Sequence, residues 1–301
     1  MSCGGSGDHA RKPPKSVSPA ARHALATAAS HSRWPDASTT GANPALVTST
    51  LPISDGWYSS DARDLTITNA EIDGGVNWTG TGTLTLRNVI LRPDWAKVWA
   101  TVMSTRGGSV VMDHVTIKGV NVGAPGNYTK GFLMEGDGSL DVGYSNISGI
   151  CQNDVGGGPF DIHDNYIHDI GSGNGATCHA TPIEDVSGGA EPRVIQHNDI
   201  DEFPGRDFEN GTDGAVFLQG LYGKIAPITI KDNYLHAGYW SIEISGNGRF
   251  PVSGPAVINN CLAWPSTGAP VSDPGKTIKI WRGNTRCDDH GHDTEEPVPG
   301  R

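Results

Sequence analysis

Residues 160–167 read Phe-Asp-Ile-His-Asp-Asn-Tyr-Ile, and the fold can be argued most directly from this stretch. Apolar side chains at positions 160 and 162 alternate with polar ones, which is typical of a β-strand with one buried face. The polar residues that follow predict a corner, and Ile167 restores an apolar side chain beyond it. The stretch therefore predicts a short, half-buried strand, a corner and a further buried position.

The same pattern occurs eight times between residues 65 and 262. Its final apolar residues are Ile72, Leu91, Ile117, Ile147, Ile167, Ile200, Leu235 and Leu262. Their spacings of 19, 26, 30, 20, 33, 35 and 27 residues each suffice for one turn of a solenoid, and the longer ones predict loops. A propeller needs four strands per blade at steadier spacing, and a sandwich does not repeat one motif in every strand. The pattern therefore predicts a stack of eight turns.

The composition agrees with many short strands joined by turns. Of 301 residues, 41 are glycine and 20 are proline, while 36% are hydrophobic and 7% aromatic, too little apolar surface for a helical globule. The formal net charge of −11 would repel a phosphate backbone, which excludes nucleic acid as a partner but is compatible with neutral or cationic glycans and divalent cations. No apolar run reaches about 18 residues, so no transmembrane segment is predicted.

The repeats divide the chain into three parts. Residues 1–45 are predicted to be a leader and linker, with a short helix near residues 18–25. Residues 46–287 form the predicted solenoid domain, and residues 288–301 form a charged tail that is predicted to be disordered. Cys3 and the Gly/Ser residues after it resemble the mature start of a bacterial lipoprotein, with a lipid anchor at that cysteine. The alternative is an incidental cysteine in the leader.

Four further cysteines, Cys151, Cys178, Cys261 and Cys287, are spread through the predicted solenoid. An even number in a polar, glycine-rich chain predicts one or two disulfides in an oxidising compartment. Of the three pairings, Cys151–Cys178 with Cys261–Cys287 closes the smallest loops. The alternative is four buried thiols.

Several stretches resemble a known family of repeats. Residues 161–169, 194–200 and 228–236 resemble the repeats of right-handed parallel β-helix proteins of the pectate-lyase-like type. Residues 33–41 and 215–219 resemble exported or phage-borne β-helix proteins of actinobacteria. The resemblance implies an all-β fold, a single-stranded right-handed parallel β-helix of about eight coils. The resemblance is only weakly specific for activity, because this fold hosts lyases, hydrolases, epimerases and inert tail proteins.

Asparagine recurs at one position of the later repeats, two residues before the final apolar one. These residues are Asn165, Asn198, Asn233 and Asn260. Asparagine tolerates a left-handed backbone and forms local hydrogen bonds, so the row predicts stacked corners. We interpret the row as structural rather than catalytic.

A second strand in several turns predicts an outward row of acids. Stacking in register would align Glu135, Glu184 or Asp185, Gln219 and Glu243. Because neighbouring strands lie about 4.8 Å apart, carboxyl groups one turn apart would approach the roughly 5 Å separation of retaining glycosidases. Groups two turns apart would approach the separation of inverting enzymes, about 6.5–9.5 Å. The alternative is a row of solvated acids that bind an occasional cation.

The residues just after the final apolar positions form a second predicted row. It includes Lys118, His168, Asp201 and His236, with Lys231 on a preceding strand. A polysaccharide lyase needs a base for the proton next to a uronate carboxylate, and a cation that neutralises that carboxylate. The alternative is a set of polar residues that solubilise an exposed sheet.

Together the two rows predict a groove around the fifth to seventh turns. The candidate catalytic residues are His168, His179, Glu184, Asp185, Asp201, His236 and Glu243. The candidate substrate-binding residues are Lys118, Lys231, Tyr239 and Trp240. A loop that contains Asp207, Glu209 and Asp213 is a candidate Ca²⁺ site, although it lacks EF-hand spacing.

The sequence thus favours an extracellular or envelope-associated protein that processes a polysaccharide or cell-wall glycan, as a lyase or a glycosidase. One alternative is a non-catalytic glycan-binding protein, either on the cell surface or in a phage tail that recognises its host. A structural spacer is the third hypothesis. A monomer and a homotrimer are both compatible with these functions.

Overall fold

A computed structural model describes residues 33–120, 129–170, 181–201, 214–236, 240–263, 270–288 and 293–298. Within these ranges the chain is almost entirely β-structure. A 3₁₀ helix at Pro44–Leu46 is capped by Asn43, whose side chain accepts a hydrogen bond from the Ala45 amide. No helix in the described ranges is long and apolar enough to cross a membrane. The helix predicted near residues 18–25 lies outside them.

The strands are short, as the alternating repeats predict. In chain order they are β1 (Ser49–Thr50), β2 (Trp57–Ser60), β3 (Leu65–Ile72), β4 (Gly75–Trp78), β5 (Thr83–Leu91), β6 (Ala100–Ser104), β7 (Ser109–Lys118), β8 (Lys130–Met134), β9 (Leu140–Gly143), β10 (Asn146–Ser148), β11 (Gln152–Asp154), β12 (Phe160–His163), β13 (Tyr166–His168), β14 (Thr181–Asp185), β15 (Arg193–Gln196), β16 (Asp199–Asp201), β17 (Gly214–Leu218), β18 (Thr229–Lys231), β19 (Tyr234–His236), β20 (Trp240–Ile244), β21 (Ala256–Ile258), β22 (Cys261–Ala263), β23 (Val271–Ser272), β24 (Ile280–Arg282), β25 (Thr285–Cys287) and β26 (Asp293–Pro297).

Among the described residues these strands form two sheets. The small sheet has nine strands, β2, β4, β6, β8, β11, β14, β17, β20 and β23, and the large sheet contains the other 17. The chain returns to the small sheet between successive visits to the large one. Neighbouring strands are parallel except for the antiparallel pair of β25 and β26. The architecture is therefore all-β with two long parallel sheets.

The final apolar residues of the eight repeats form one column in the large sheet. From Ile72 to Leu262, each is the register partner of the next. All eight are fully buried. Stacked aliphatic side chains of this kind remove apolar surface from water at every step. The apolar pattern of the sequence thus identified the core of the large sheet.

A corner with left-handed backbone separates the two parts of each repeat in the large sheet. The corner residues have φ between 49° and 54°, and they are Asn69, Asn88, His114, Tyr144, Asp164, His197, Asp232 and Asn259. The asparagines predicted at these corners lie one residue further on. The sequence correctly predicted stacked corners, but it assigned the left-handed position to the wrong residue.

Those asparagines instead form a buried ladder along the inside of the corners. The side-chain Oδ1 of Asn198 accepts hydrogen bonds from the backbone amide of Asn165 at 3.0 Å and from its Nδ2 at 2.9 Å. The same pair of bonds recurs from Asn198 to Asn233, from Asn233 to Asn260 and from Asn260 to Asn284. Buried polar groups must be paired, and here each asparagine pairs with the next one.

The large sheet contains a ninth repeat that the sequence pattern missed. Strands β24 and β25 pair with β21 and β22, and Asn284 continues the asparagine ladder. This repeat has Arg286 beside Leu262, where the others have an aliphatic residue. Within the charged tail, for which disorder was predicted, β26 pairs with β25.

The three cysteines in the described ranges are all disulfide-bonded. Cys261 and Cys287 are bonded, with 5.4 Å between their Cα atoms, as one of the predicted pairings has it. Cys151 is also disulfide-bonded, and its partner lies outside the described residues. The alternative of buried free thiols is therefore wrong for these three cysteines.

Candidate functional site

The outward side of the small sheet carries a row of polar and aromatic side chains. Asp154, Glu184, Phe217 and Glu243 are consecutive register partners on β11, β14, β17 and β20. The residue that precedes each of the last three, such as Ile183, is buried in the core. We call this outward side the small-sheet face. It includes Lys130 and Gln152, the first residues of β8 and β11.

A register shift beside β11 gives the small-sheet face its shape. Gln152 and Asp154 are two residues apart, but their partners on β14 are three residues apart, so the extra residue lies on β14. The side chains of Gln152 and Asp154 lie on the same side of β11, and Asn153 between them is buried. Asn153 accepts a hydrogen bond from the Phe132 amide at 3.1 Å and donates one to the Pro182 carbonyl at 2.7 Å. Bulges of this kind redirect side chains and are common beside active sites.

Two carboxylates of the small-sheet face share one amide group. The Nε2 of Gln152 donates to Asp154 Oδ1 at 3.0 Å and to Glu184 Oε2 at 2.8 Å. Lys130 Nζ forms an ion pair with the other oxygen of Asp154. The side chains of Lys130 and Asp154 are 16% and 13% exposed, so the pair is partly shielded yet reachable. Two acids on neighbouring strands are thus bridged by an amide, and one of them also pairs with an ammonium group.

The structure separates the two alternatives, Glu184 and Asp185. Asp185 faces the core, where its Oδ2 lies 2.8 Å from Nη2 of Arg193 and both side chains are fully buried. Arg193 also lies over the Phe160 ring, 4.8 Å from its centroid. Burial raises the pKa of Asp185 to about 6, and the nearby Arg193 opposes that rise. Asp185 is therefore a core residue, and Glu184 is the acid of the outward row.

The other members of the predicted acidic row lie in a different register. Gln219 is two residues beyond Phe217 and donates to Ser245 Oγ at 3.1 Å. Glu135 is exposed and lies two residues beyond Leu133, the register partner of Asp154. Of the predicted row, only Glu184 and Glu243 are therefore aligned, and Phe217 lies between them.

The second predicted row is in register in the large sheet. Lys118, Ser148, His168, Asp201 and His236 are consecutive partners. His236 is 4% exposed, and its Nδ1 lies 3.0 Å from Asp201 Oδ1.

His168 in that row is held from both sides of its ring. Its Nδ1 lies 2.8 Å from Asp169 Oδ2, and its Nε2 lies 3.0 Å from Asn146 Oδ1. Tyr166 stacks on the ring with 4.1 Å between the centroids. A general base needs a free nitrogen toward its substrate, so this geometry favours a positioning or structural role.

The remaining predicted residues are scattered. Trp240 begins β20 and is the register partner of Gly214, on the small sheet. Lys231 lies on β18, on the other side of the corner from His236. His179, Tyr239 and the three acids of the predicted Ca²⁺ loop, Asp207, Glu209 and Asp213, lie outside the described residues. Within the described ranges, no group of three or more His, Cys, Asp or Glu side chains could hold a metal ion.

Sequence reasoning missed Lys130, Gln152 and Asp154. Strand β11 has no alternating apolar residues, because its inward position is occupied by Asn153. The short interval between β10 and β12 was the one available signal, since a further strand must fit between them.

Another titratable group lies outside the small-sheet face. His163 Nε2 lies 3.2 Å from Asp141 Oδ1, and its Nδ1 lies 2.9 Å from Asp164 Oδ2. Asp141 raises the pKa of His163 most, and the rise reaches about 9 although burial opposes it. His163 is therefore a cation at neutral pH, fixed between two carboxylates of the large sheet.

Comparison of the chain with protein-family models, with curated proteins and with solved structures gave no match. The functional proposal therefore depends on the geometry of the small-sheet face.

Proposed function

We propose that the chain is a right-handed parallel β-helix of the pectate-lyase-like type, which hydrolyses an extended polysaccharide on its small-sheet face. The fold proposal is supported by the recurring motif, the parallel register and the asparagine ladder. The activity is supported by one observation above all, the pairing of Asp154 and Glu184 through the amide of Gln152.

The spacing of the two acids favours a retaining hydrolase. Partners on neighbouring parallel strands lie about 4.8 Å apart, which matches the separation of roughly 5 Å between the carboxyl groups of retaining glycosidases. Lys130 compensates the charge of Asp154, which suits a carboxylate that attacks the anomeric carbon. Glu184 is then the acid.

In the first step, Asp154 forms an ester with the sugar while the glycosidic bond breaks, and Glu184 gives its proton to the departing oxygen. In the second step, Glu184 takes a proton from water, and the resulting hydroxide releases the sugar from Asp154. Both side chains then regain their starting protonation states.

The rest of the face fits a long, uncharged or cationic chain. Trp240 is partly exposed on the same sheet and offers a ring on which a sugar can stack. Three carboxylates and one ammonium group on the face, with a formal net charge of −11 for the chain, disfavour polyanions. The disulfides favour an oxidising compartment such as the cell envelope or the exterior.

The test is a depolymerisation screen on neutral, cationic and uronate polysaccharides. New reducing ends and the ultraviolet absorbance of unsaturated sugars are followed together. We expect reducing ends without that absorbance, and a loss of about 10²–10⁴-fold in rate for Asp154→Asn and Glu184→Gln. Glu135→Gln, an exposed acid of the same sheet, is the matched control and should keep the wild-type rate.

The other outcomes are equally informative. Unsaturated products would indicate a lyase and contradict the hydrolytic mechanism. Retention on a glycan column without any cleavage would support the non-catalytic glycan-binding alternative instead.

A further inference from the structure

The segment of residues 34–43 lies across the large sheet. We call this segment the N-terminal strap. It extends from Trp34, which packs beside Tyr234 of β19, to Asn43, which is bonded to Asn88 of β5. The sequence predicted only a linker here.

One end of the strap is anchored by an aromatic side chain. Trp34 is 7% exposed and stacks on Tyr234 with 6.2 Å between the ring centroids. It belongs to a small buried cluster that also contains Cys261, Ala263 and Cys287. The ring thus covers the disulfide between the last two repeats.

The other end is anchored by backbone hydrogen bonds. The Gly41 amide donates to the Tyr144 carbonyl at 2.7 Å, and the Ala42 amide donates to Thr116 Oγ1 at 2.9 Å. Gly41 has φ of 83°, and a Cβ there would lie 2.6 Å from Thr116 Oγ1. Only glycine allows so close an approach in that conformation.

Between its two anchors the strap forms a turn of its own. Asp36 Oδ1 accepts hydrogen bonds from the amides of Ser38 at 2.7 Å and Thr39 at 3.1 Å. The Ser38 hydroxyl also donates to Asp36 Oδ1. These hydrogen bonds, and the one from the hydroxyl most of all, lower the pKa of Asp36, which therefore stays ionised.

The carboxyl group of Asp199 on β16 is in an unfavourable environment. Its Oδ1 is buried and has no hydrogen-bond partner among the described residues. Burial, and then the charges of Asp201 and Asp36, raise its pKa to about 8. One of those charges, Asp36, comes from the strap itself.

Among the described residues, the groups around Asp199 are neutral or already paired with another carboxylate. Tyr166 on the neighbouring strand is neutral, because burial and the surrounding carboxylates raise its pKa. The imidazole of His236 is bonded to Asp201, and that of His168 to Asp169. Tyr234 on β19 is the register partner of Asp199 and is uncharged.

We propose that the N-terminal strap is an acid-favoured latch, which is closed while the Asp199 carboxyl is protonated and opens as that carboxyl ionises. Opening uncovers the row on the large sheet that includes Thr116, Tyr166 and Asp199. The latch does not depend on the proposed hydrolysis, because it lies on the other sheet.

The direction of the pH effect follows from linkage. In the closed form the pKa of Asp199 is about 8. Opening removes the strap's share of the burial and the charge of Asp36, whereas Asp201 stays beside Asp199, so the pKa of Asp199 in the open form lies below that value. The open form therefore binds fewer protons, and the ratio of open to closed strap should rise with pH by at most about tenfold per pH unit and level off above about pH 8.

The test is amide hydrogen exchange of the strap in the full-length chain, read by mass spectrometry between about pH 5 and pH 8 and corrected for intrinsic rates. In the wild type, protection of the Gly41 and Ala42 amides should fall with rising pH, by at most about tenfold per unit. Asp199→Asn should remove that slope. Asp137→Asn, an exposed residue between β8 and β9, is the matched control and should retain it.

A strap whose protection is independent of pH in the wild type would overturn the latch. An unchanged slope in Asp199→Asn would overturn it as well. If that variant does not fold, Asp36→Asn provides the second measurement. Loss of the strap's negative charge should raise protection near pH 8, where the Asp199 carboxyl ionises in the closed form, and unchanged or lower protection there would contradict the proposal.

Discussion

The asparagine ladder and the small-sheet face are both built from polar side chains, but they are organised in opposite ways. In the ladder, asparagine recurs at the same position of five successive repeats, and each side chain is bonded to its neighbour in the stack. On the small-sheet face, Lys130, Gln152, Asp154 and Glu184 are all different, and they meet at one place. The difference teaches that in this chain repetition indicates structure, whereas a break in the repeat indicates a candidate site.

The largest expected effect would come from the outward acids. Glu184→Gln should reduce the rate of glycan hydrolysis by about 10²–10⁴-fold, while the free energy of unfolding changes by less than about 1 kcal/mol. Parallel rate measurements and urea unfolding would check this. A variant that lost stability together with activity would show that Glu184 has a structural role. It would then contradict the contrast between the ladder and the small-sheet face.

The next largest effect is expected at Asp185, which lies on the opposite side of β14 from Glu184. Asp185→Ala would leave Arg193 as an uncompensated buried charge and should cost about 3–5 kcal/mol of unfolding free energy. The double variant Asp185→Leu with Arg193→Met should recover most of that loss, because no buried charge remains. Equal destabilisation of the single and double variants would show that packing, not charge, dominates there.

A smaller effect is expected in the ladder. Asn198→Ala removes the acceptor for the buried backbone amide of Asn165, so it should cost about 1–3 kcal/mol in denaturant unfolding. Asn247→Ala, at an exposed asparagine outside the ladder, should change the free energy by less than about 0.5 kcal/mol. Similar losses in both variants would argue against a special role for the ladder.

The smallest effect concerns pH. The pKa of His163 is raised to about 9, so the stabilisation from its two carboxylate partners is complete below about pH 6.5 and is lost as the pH rises through 9. His163→Gln should therefore lower stability by about 1 kcal/mol near pH 6, since the partners are partly exposed, and the difference should vanish near pH 10. Thermal unfolding at the two pH values would measure it, and a difference that grew with pH would contradict the assignment.

The periodic parts of the molecule could be predicted from the sequence. The column from Ile72 to Leu262 and the row that contains His168 and Asp201 follow from one spacing rule, because parallel strands in register carry sequence periodicity directly into space. Arg286 interrupts that rule, and the ninth repeat was missed for this reason.

The non-periodic parts could not be predicted. The alignment of Asp154 with Glu184 depends on a register shift between β11 and β14, and a shift of one residue exchanges the two sides of a strand. The choice between Glu184 and Asp185 depends on Arg193, which meets Asp185 only in the folded core. The strap depends on contacts such as that of Trp34 with Tyr234, 200 residues away, and no local pattern reports them.

The last repeat also bears on self-association. A stack of parallel strands ends in an edge whose unpaired amides and carbonyls can recruit a strand from another molecule. Here β26 pairs with β25 in the antiparallel direction and occupies part of that edge with the chain's own backbone. Arg286 adds a charge where an aliphatic side chain would invite a further layer. Among the described residues, β26 and Arg286 thus make this edge less open to pairing with a strand of another molecule.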